Sequence, residues 1–109
     1  MCGIVGYVGP RPVTDVLIPG LSRLEYRGYD SAGIAVHGGD TMTVVKRAGR
    51  MSELEAAVAG LDVNGGRGGV GHTRWATHGA PNTTNAHPHQ DCAASVVVVH
   101  NGIIENWAA

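Results

Sequence analysis

Met1-Cys2-Gly3-Ile4-Val5-Gly6-Tyr7 is the stretch on which the fold is decided. Gly3 to Val8 is a short apolar run broken by glycines, and it reads as a first strand closed by Gly9-Pro10. Cys2 stands just before that strand. Aminopeptidases remove an initiator Met when a small residue follows, and Cys is small. The product would carry a thiol and a free α-amine on one residue. With a pKa near ~8 such an amine is partly uncharged at neutral pH and can serve as base for its own side chain. The competing reading of Cys2 is a small buried residue at the start of a strand.

Working outward, Pro12 fits the first turn of a helix, and Val13, Val16, Leu17, Leu21 and Leu24 follow at helical spacing. Pro19-Gly20 predicts a kink or break in it. Glu25 to Gly33 reads as a loop, and Ile34–Val36 with Thr43–Lys46 as a strand pair around a Gly38-Gly39-Asp40 turn. Ser52 and Glu55 have capping-box spacing, predicting a helix from Glu53 to Gly60 with Leu54, Val58 and Leu61 on one face. Asn64 to Gly69 is a glycine-rich connection, and Val70 to Thr73 enters a strand. Thr77 to Asp91, with Pro81 and Pro88, is irregular. Ser95 to His100 holds four consecutive valines, which suits a strand buried on both faces.

The 109 residues suffice for one small domain, and 43% hydrophobic with 16% charged residues reads as globular. With no Phe, the core rests on Val, Ile, Leu and Ala. A net charge of −1 gives no electrostatic case for nucleic acid or an anionic membrane surface. No apolar run reaches the ~18 residues of a membrane span, and no signal-peptide pattern opens the chain. The two cysteines, Cys2 and Cys92, make no disulfide framework, so the default compartment is cytoplasmic. The six histidines match no zinc-site spacing, which argues for no metal. Asn64 to Gly69 lacks the Lys-Ser/Thr ending of a phosphate loop, and no cofactor is expected.

Two further motifs carry chemistry. In Gly71 to Gly79, Arg74 offers a planar fork for a carboxylate, and Thr77 and His78 could hold the rest of an amino acid; a surface arginine beside a half-buried Trp75 is the alternative. In His100 to Asn106, Asn101-Gly102 is a hairpin-turn signal. The same pair could point the Asn101 amide and the Gly102 N–H at the oxygen of a tetrahedral intermediate.

Taken with Leu24 to Gly33 and Asn85 to His89, these motifs resemble the glucosamine-6-phosphate synthase family across nearly the whole chain and in order. The resemblance implies an α+β, N-terminal-nucleophile hydrolase fold, a four-layer αββα sandwich of which residues 1–109 would be the N-terminal half. It implies a partial type 2 glutamine amidotransferase domain, truncated at its C-terminus and lacking the sugar isomerase region. Cys2 would attack the side-chain amide of L-glutamine, with Asn101 and Gly102 as oxyanion hole. Arg74 would grip the substrate α-carboxylate, Trp75, Thr77 and His78 would shape the pocket, and Arg27 would lie in a loop near the nucleophile. Ammonia would aminate fructose 6-phosphate only in the full-length, homo-oligomeric enzyme.

The family's aspartate for the glutamine α-amine belongs to a later segment, so the 109 residues alone are expected to be inactive and marginally folded. The alternative function is an inactive truncated fragment acting as a binding or interaction module.

Overall fold

The computed structural model describes residues 2–27, 30–38, 41–60, 66–75, 82–102, 105–106 and 108, with the Arg27 side chain excluded. Among the described residues, six strands and two α-helices follow in the order β1 (Gly3–Val8), α1 (Thr14–Leu24), β2 (Ser31–Gly38), β3 (Thr41–Ala48), α2 (Met51–Ala59), β4 (Gly68–Arg74), β5 (His89–Gln90) and β6 (Val97–Val98). A 3-10 turn, Glu25–Arg27, closes α1. Strands β1 to β4 form one antiparallel sheet in the order β1-β4-β2-β3, and β5 pairs with β6.

Strand periodicity sorts the sheet into two faces. Ala32, Ile34, Val36 and Val45 join Val13, Leu17 and Leu21 from the α1 side and Met51, Leu54 and Val58 of α2 in one core. Helix α1 lies close on β4 because Gly71 has no side chain: a Cβ there would meet Leu21 Cδ1 at 2.8 Å. Helices on one face of an antiparallel sheet are an outer α layer and a first β layer of the expected sandwich. Residues 82–102 lie toward the other face.

Several local expectations change. Helix α1 runs through Pro19 without a break; Leu17 and Leu21, both fully buried, flank the proline, which faces solvent. Pro12 stands just outside the helix, its carbonyl accepting from the Asp15 N–H at 3.0 Å. Strand β2 starts at Ser31, not Ile34, so the last three residues of the presumed loop, Ser31 to Gly33, are strand. The Ser52/Glu55 capping box does not form: α2 begins at Met51, and the Met51 N–H donates to Glu25 Oε2 at 2.9 Å. Arg50 pairs with the same carboxylate at 3.6 Å, while Glu55 accepts from Ser22 Oγ at 3.1 Å. The valine run is a strand only at Val97–Val98, and Val96 and Val98 are 55% and 54% exposed. Its partner β5 is two residues long, too short to bury both faces.

The Gly39-Asp40 turn residues, Leu61, and Asn64-Gly65 of the glycine-rich connection lie outside the described residues. Gly68 and Gly69 belong to β4.

Candidate active site

The register brings the ends of the chain together. Gly3 pairs with Thr73 on β4, so Cys2 arrives beside the residues that follow, Arg74 and Trp75. The Trp75 N–H donates to Cys2 Sγ at 3.4 Å, and the thiol donates toward the Trp75 carbonyl at 3.8 Å. The sulfur is thereby held at the C-terminal end of β4. Cys2 is partly accessible, and neither it nor Cys92 is in a disulfide. A thiol meant to react must be reachable in this way.

Asn101 approaches from the far end of the sequence. Its Nδ2 donates to the Cys2 carbonyl at 3.3 Å, and its Oδ1 lies 2.7 Å from His72 Nε2. An amide nitrogen has two hydrogens, so one remains for another acceptor. Gly102 follows with φ +149°, a backbone region that side chains disfavour. Beyond it Ile103 and Ile104 are outside the described residues, so the hairpin reading of Asn101-Gly102 is too.

His72, fully buried on β4, stands across from Gly33 of β2. Gly33 is glycine because the His87 carbonyl lies where its Cβ would be. That close approach lets the His87 ring stack on His72, with centroids 4.1 Å apart and planes at 21°; the His87–Pro88 peptide is cis. His89 tilts against His87 at 4.3 Å, and the His100 N–H donates to His87 Nδ1 at 3.4 Å. Burial, chiefly, and the neighbouring His72, His89, Arg74 and His100 push the His87 pKa down to about 3. Burial lowers His72 and His89 as well. Among the described residues no group of three or more His, Cys, Asp or Glu could hold a metal ion.

Lys46 on β3, opposite Gly33 in register, fixes this segment from the side. Its Nζ donates to the carbonyls of Ala86 (3.0 Å), Pro88 (3.4 Å) and Thr84 (3.5 Å). Asp91 shapes the connection from β5 to β6, accepting from the N–H groups of Ser95 and Val96 and from Ser95 Oγ.

The structure thus joins Cys2, Trp75 and Asn101, with Gly102 one residue on. Arg74 is buried at 6% exposure on the face that also carries His72, and Trp75 is 53% exposed. Arg27 has only its backbone described, in the 3-10 turn, and Thr77 and His78 lie outside the described residues. Sequence reading had no role for Lys46 and weighed His72 only as a metal ligand. Lys46 carried a signal: a residue one position beyond the buried Val45 in a strand must lie on the face away from the helices.

Solved structures share this fold. One described as the allosteric regulatory enzyme of purine biosynthesis superposes with a TM-score of 0.70 at 29% identity, over 82% of this chain and 19% of that one. Glutamine phosphoribosylpyrophosphate amidotransferase from B. subtilis, complexed with ADP and GMP, gives 0.67 at 28% identity, over 82% and 18%. The fold is that of the N-terminal-nucleophile glutamine amidotransferases.

Sequence relatives narrow this. Glutamine–fructose-6-phosphate aminotransferase [isomerizing] of Mycolicibacterium smegmatis is 60% identical over 99% of the chain, and that of Thermococcus kodakarensis is 56% identical over 99%. The Pyrococcus horikoshii protein of the same name is 59% identical over 98%. The chain belongs to the glutamine–fructose-6-phosphate aminotransferase family and corresponds to its N-terminal glutaminase part. It spans 18% of the length of these relatives. No family model matches it.

Proposed function

We propose that residues 1–109 form part of a type 2 glutamine amidotransferase domain and supply the nucleophile and oxyanion hole with which that domain hydrolyses the side-chain amide of L-glutamine. The observation that carries the reading is the meeting of Cys2 and Asn101, from opposite ends of the sequence, beside the Trp75 backbone. With Met1 removed, the Cys2 α-amine takes the thiol proton. The sulfur adds to the amide carbon, and the carbonyl oxygen becomes an oxyanion. The free Asn101 Nδ2 hydrogen and the Gly102 N–H stabilise that oxygen. Collapse breaks the C–N bond, the α-ammonium returns its proton to the leaving nitrogen, and ammonia departs. A glutamyl thioester remains. Water adds to it, glutamate leaves, and the thiol is restored.

Arg74 holds the substrate α-carboxylate in this scheme; its burial favours a strong charge-assisted fork. Trp75, Thr77, His78 and Arg27 border the substrate. The ammonia aminates fructose 6-phosphate in the whole protein, a reading supported by the names of the relatives, and the whole protein is a homo-oligomer in this proposal. A cytoplasmic setting suits a thiol that must stay reduced. Among the described residues no helix is long and apolar enough to cross a membrane.

The test is intact-mass measurement beside a glutaminase assay of the full-length protein. Activity should track the fraction lacking Met1 and vanish in Cys2→Ala. Full activity with Met1 retained would sink the mechanism.

A further inference from the structure

We propose that His72 is a positioning residue that selects the orientation of the Asn101 amide, so that its NH2 group and not its oxygen faces the reacting centre. The inference rests on the glutaminase reading above. It starts from the near-symmetry of asparagine: oxygen and NH2 are almost the same size, and a half-turn about the terminal bond exchanges them. As an oxyanion donor Asn101 works in one of these states only. In the other it presents a lone pair to the Cys2 carbonyl and to any developing negative charge.

His72 reinforces the bias that the Cys2 carbonyl begins. Asn101 Oδ1 can only accept, so the 2.7 Å contact requires a proton on His72 Nε2. Nδ1 of a neutral ring is then a bare acceptor, and it has no hydrogen-bond partner among the described residues. Burial, chiefly, with Arg74 and His89 adding to it, outweighs the hydrogen bonds to Asn101 and the His100 backbone and lowers the His72 pKa, which favours the neutral ring. A flipped Asn101 would set NH2 against the Nε2–H, donor against donor. The ring cannot turn away to relieve this: it is fully buried on β4, an interior strand of the sheet, and stacked on His87. His87 is in turn seated on Gly33 and held by the Lys46 contacts to its neighbours Ala86 and Pro88. The chain of support runs from β3 through the 82–88 segment to His72 and Asn101, and ends at Cys2.

The experiment compares His72→Phe and His72→Gln in the full-length protein. Phe keeps an aromatic ring to stack but has no donor; Gln can place an N–H near the Nε2 position. His72→Phe should lower kcat for glutamine hydrolysis by about 10- to 100-fold, with KM changed less than about twofold, because only transition-state stabilisation is lost. His72→Gln should recover most of kcat, and the rate of Cys2 alkylation should be unchanged in both. Histidine 15N NMR of the unsubstituted protein should show the Nε2–H tautomer, with the Nε2 signal moving in Asn101→Ala. Wild-type kcat in a folded His72→Phe protein would overturn the proposal, as would an Nδ1–H tautomer, which can be read even if His72→Phe does not fold. Glutamine hydrolysis that persists in Cys2→Ala would overturn the functional reading itself, leaving the tautomer to judge the His72–Asn101 contact alone.

Discussion

Asn101 Nδ2 donates to the Cys2 carbonyl at 3.3 Å, although the two residues are 99 positions apart in sequence. This contact ties the candidate nucleophile to the candidate oxyanion donor before substrate arrives. Asn101→Ala removes the amide but leaves the thiol and its Trp75 contacts. It should lower kcat for glutamine hydrolysis by about 10²–10³, the usual effect of losing one oxyanion donor, with little change in KM. Steady-state kinetics on the full-length protein measure this, and an unchanged kcat would remove Asn101 from the mechanism.

Arg74 should separate binding from chemistry. Arg74→Lys keeps the charge but loses the fork, and KM for glutamine should rise about tenfold or more while kcat falls far less. A loss confined to kcat would assign Arg74 to the reacting centre instead.

Gly33→Ala should act at a distance from the thiol. The new methyl group would collide with the His87 carbonyl and crowd Lys46 Cβ at 2.8 Å. Overpacking of this kind costs about 1–3 kcal/mol, so thermal melts should shift down by several degrees. Lys46→Met, which strips the donor from three carbonyls, should cost about 1–3 kcal/mol by a different route. Wild-type melting of both variants would show that the 82–88 segment is not held as described.

Stability should depend on pH through His87. Its pKa falls from the ordinary 6.5 to about 3 in the folded chain, so between those values the unfolded chain binds the extra proton. Stability is therefore full above about pH 6.5 and drains away as pH falls toward about 3. His72 and His89, also lowered, act in the same direction. Melting temperature against pH should show this slope, and His87→Gln should flatten part of it. An identical slope in His87→Gln would remove His87 as a source.

What could be read from the sequence depended on whether a residue's cause lay nearby. Gly3–Val8 was legible because its alternation is local, and the strand has those bounds. The α2 cap was not, since Glu25 reaches Met51 from another element and displaces the pairing that Ser52 and Glu55 advertise. Gly33 looked like a loop glycine because the reason for it is the His87 backbone, far along the chain. Four valines in a row signalled burial, yet burial needs neighbours, and β5 offers two residues. Motif reading picked out Cys2, Arg74 and Asn101 separately. That Cys2 and Asn101 touch follows from the register of β1 on β4 and the packing of His72, neither of which spacing reveals.

Strand β4 has neighbours on both sides, and both partners of the reacting pair hang from it: Cys2 through the Trp75 backbone just past its end, Asn101 through His72. The two anchor points are three residues apart, about 10 Å along one stiff rod. Breathing of the helices, or a tilt of the whole sheet, carries thiol and amide together and leaves the gap between them unaltered. Only differential motion can spoil the alignment. The chemistry is insulated in this way from drift in the hydrophobic core, and substitutions around Leu17 or Leu54 can lower the melting point while the turnover of the molecules still folded stays the same.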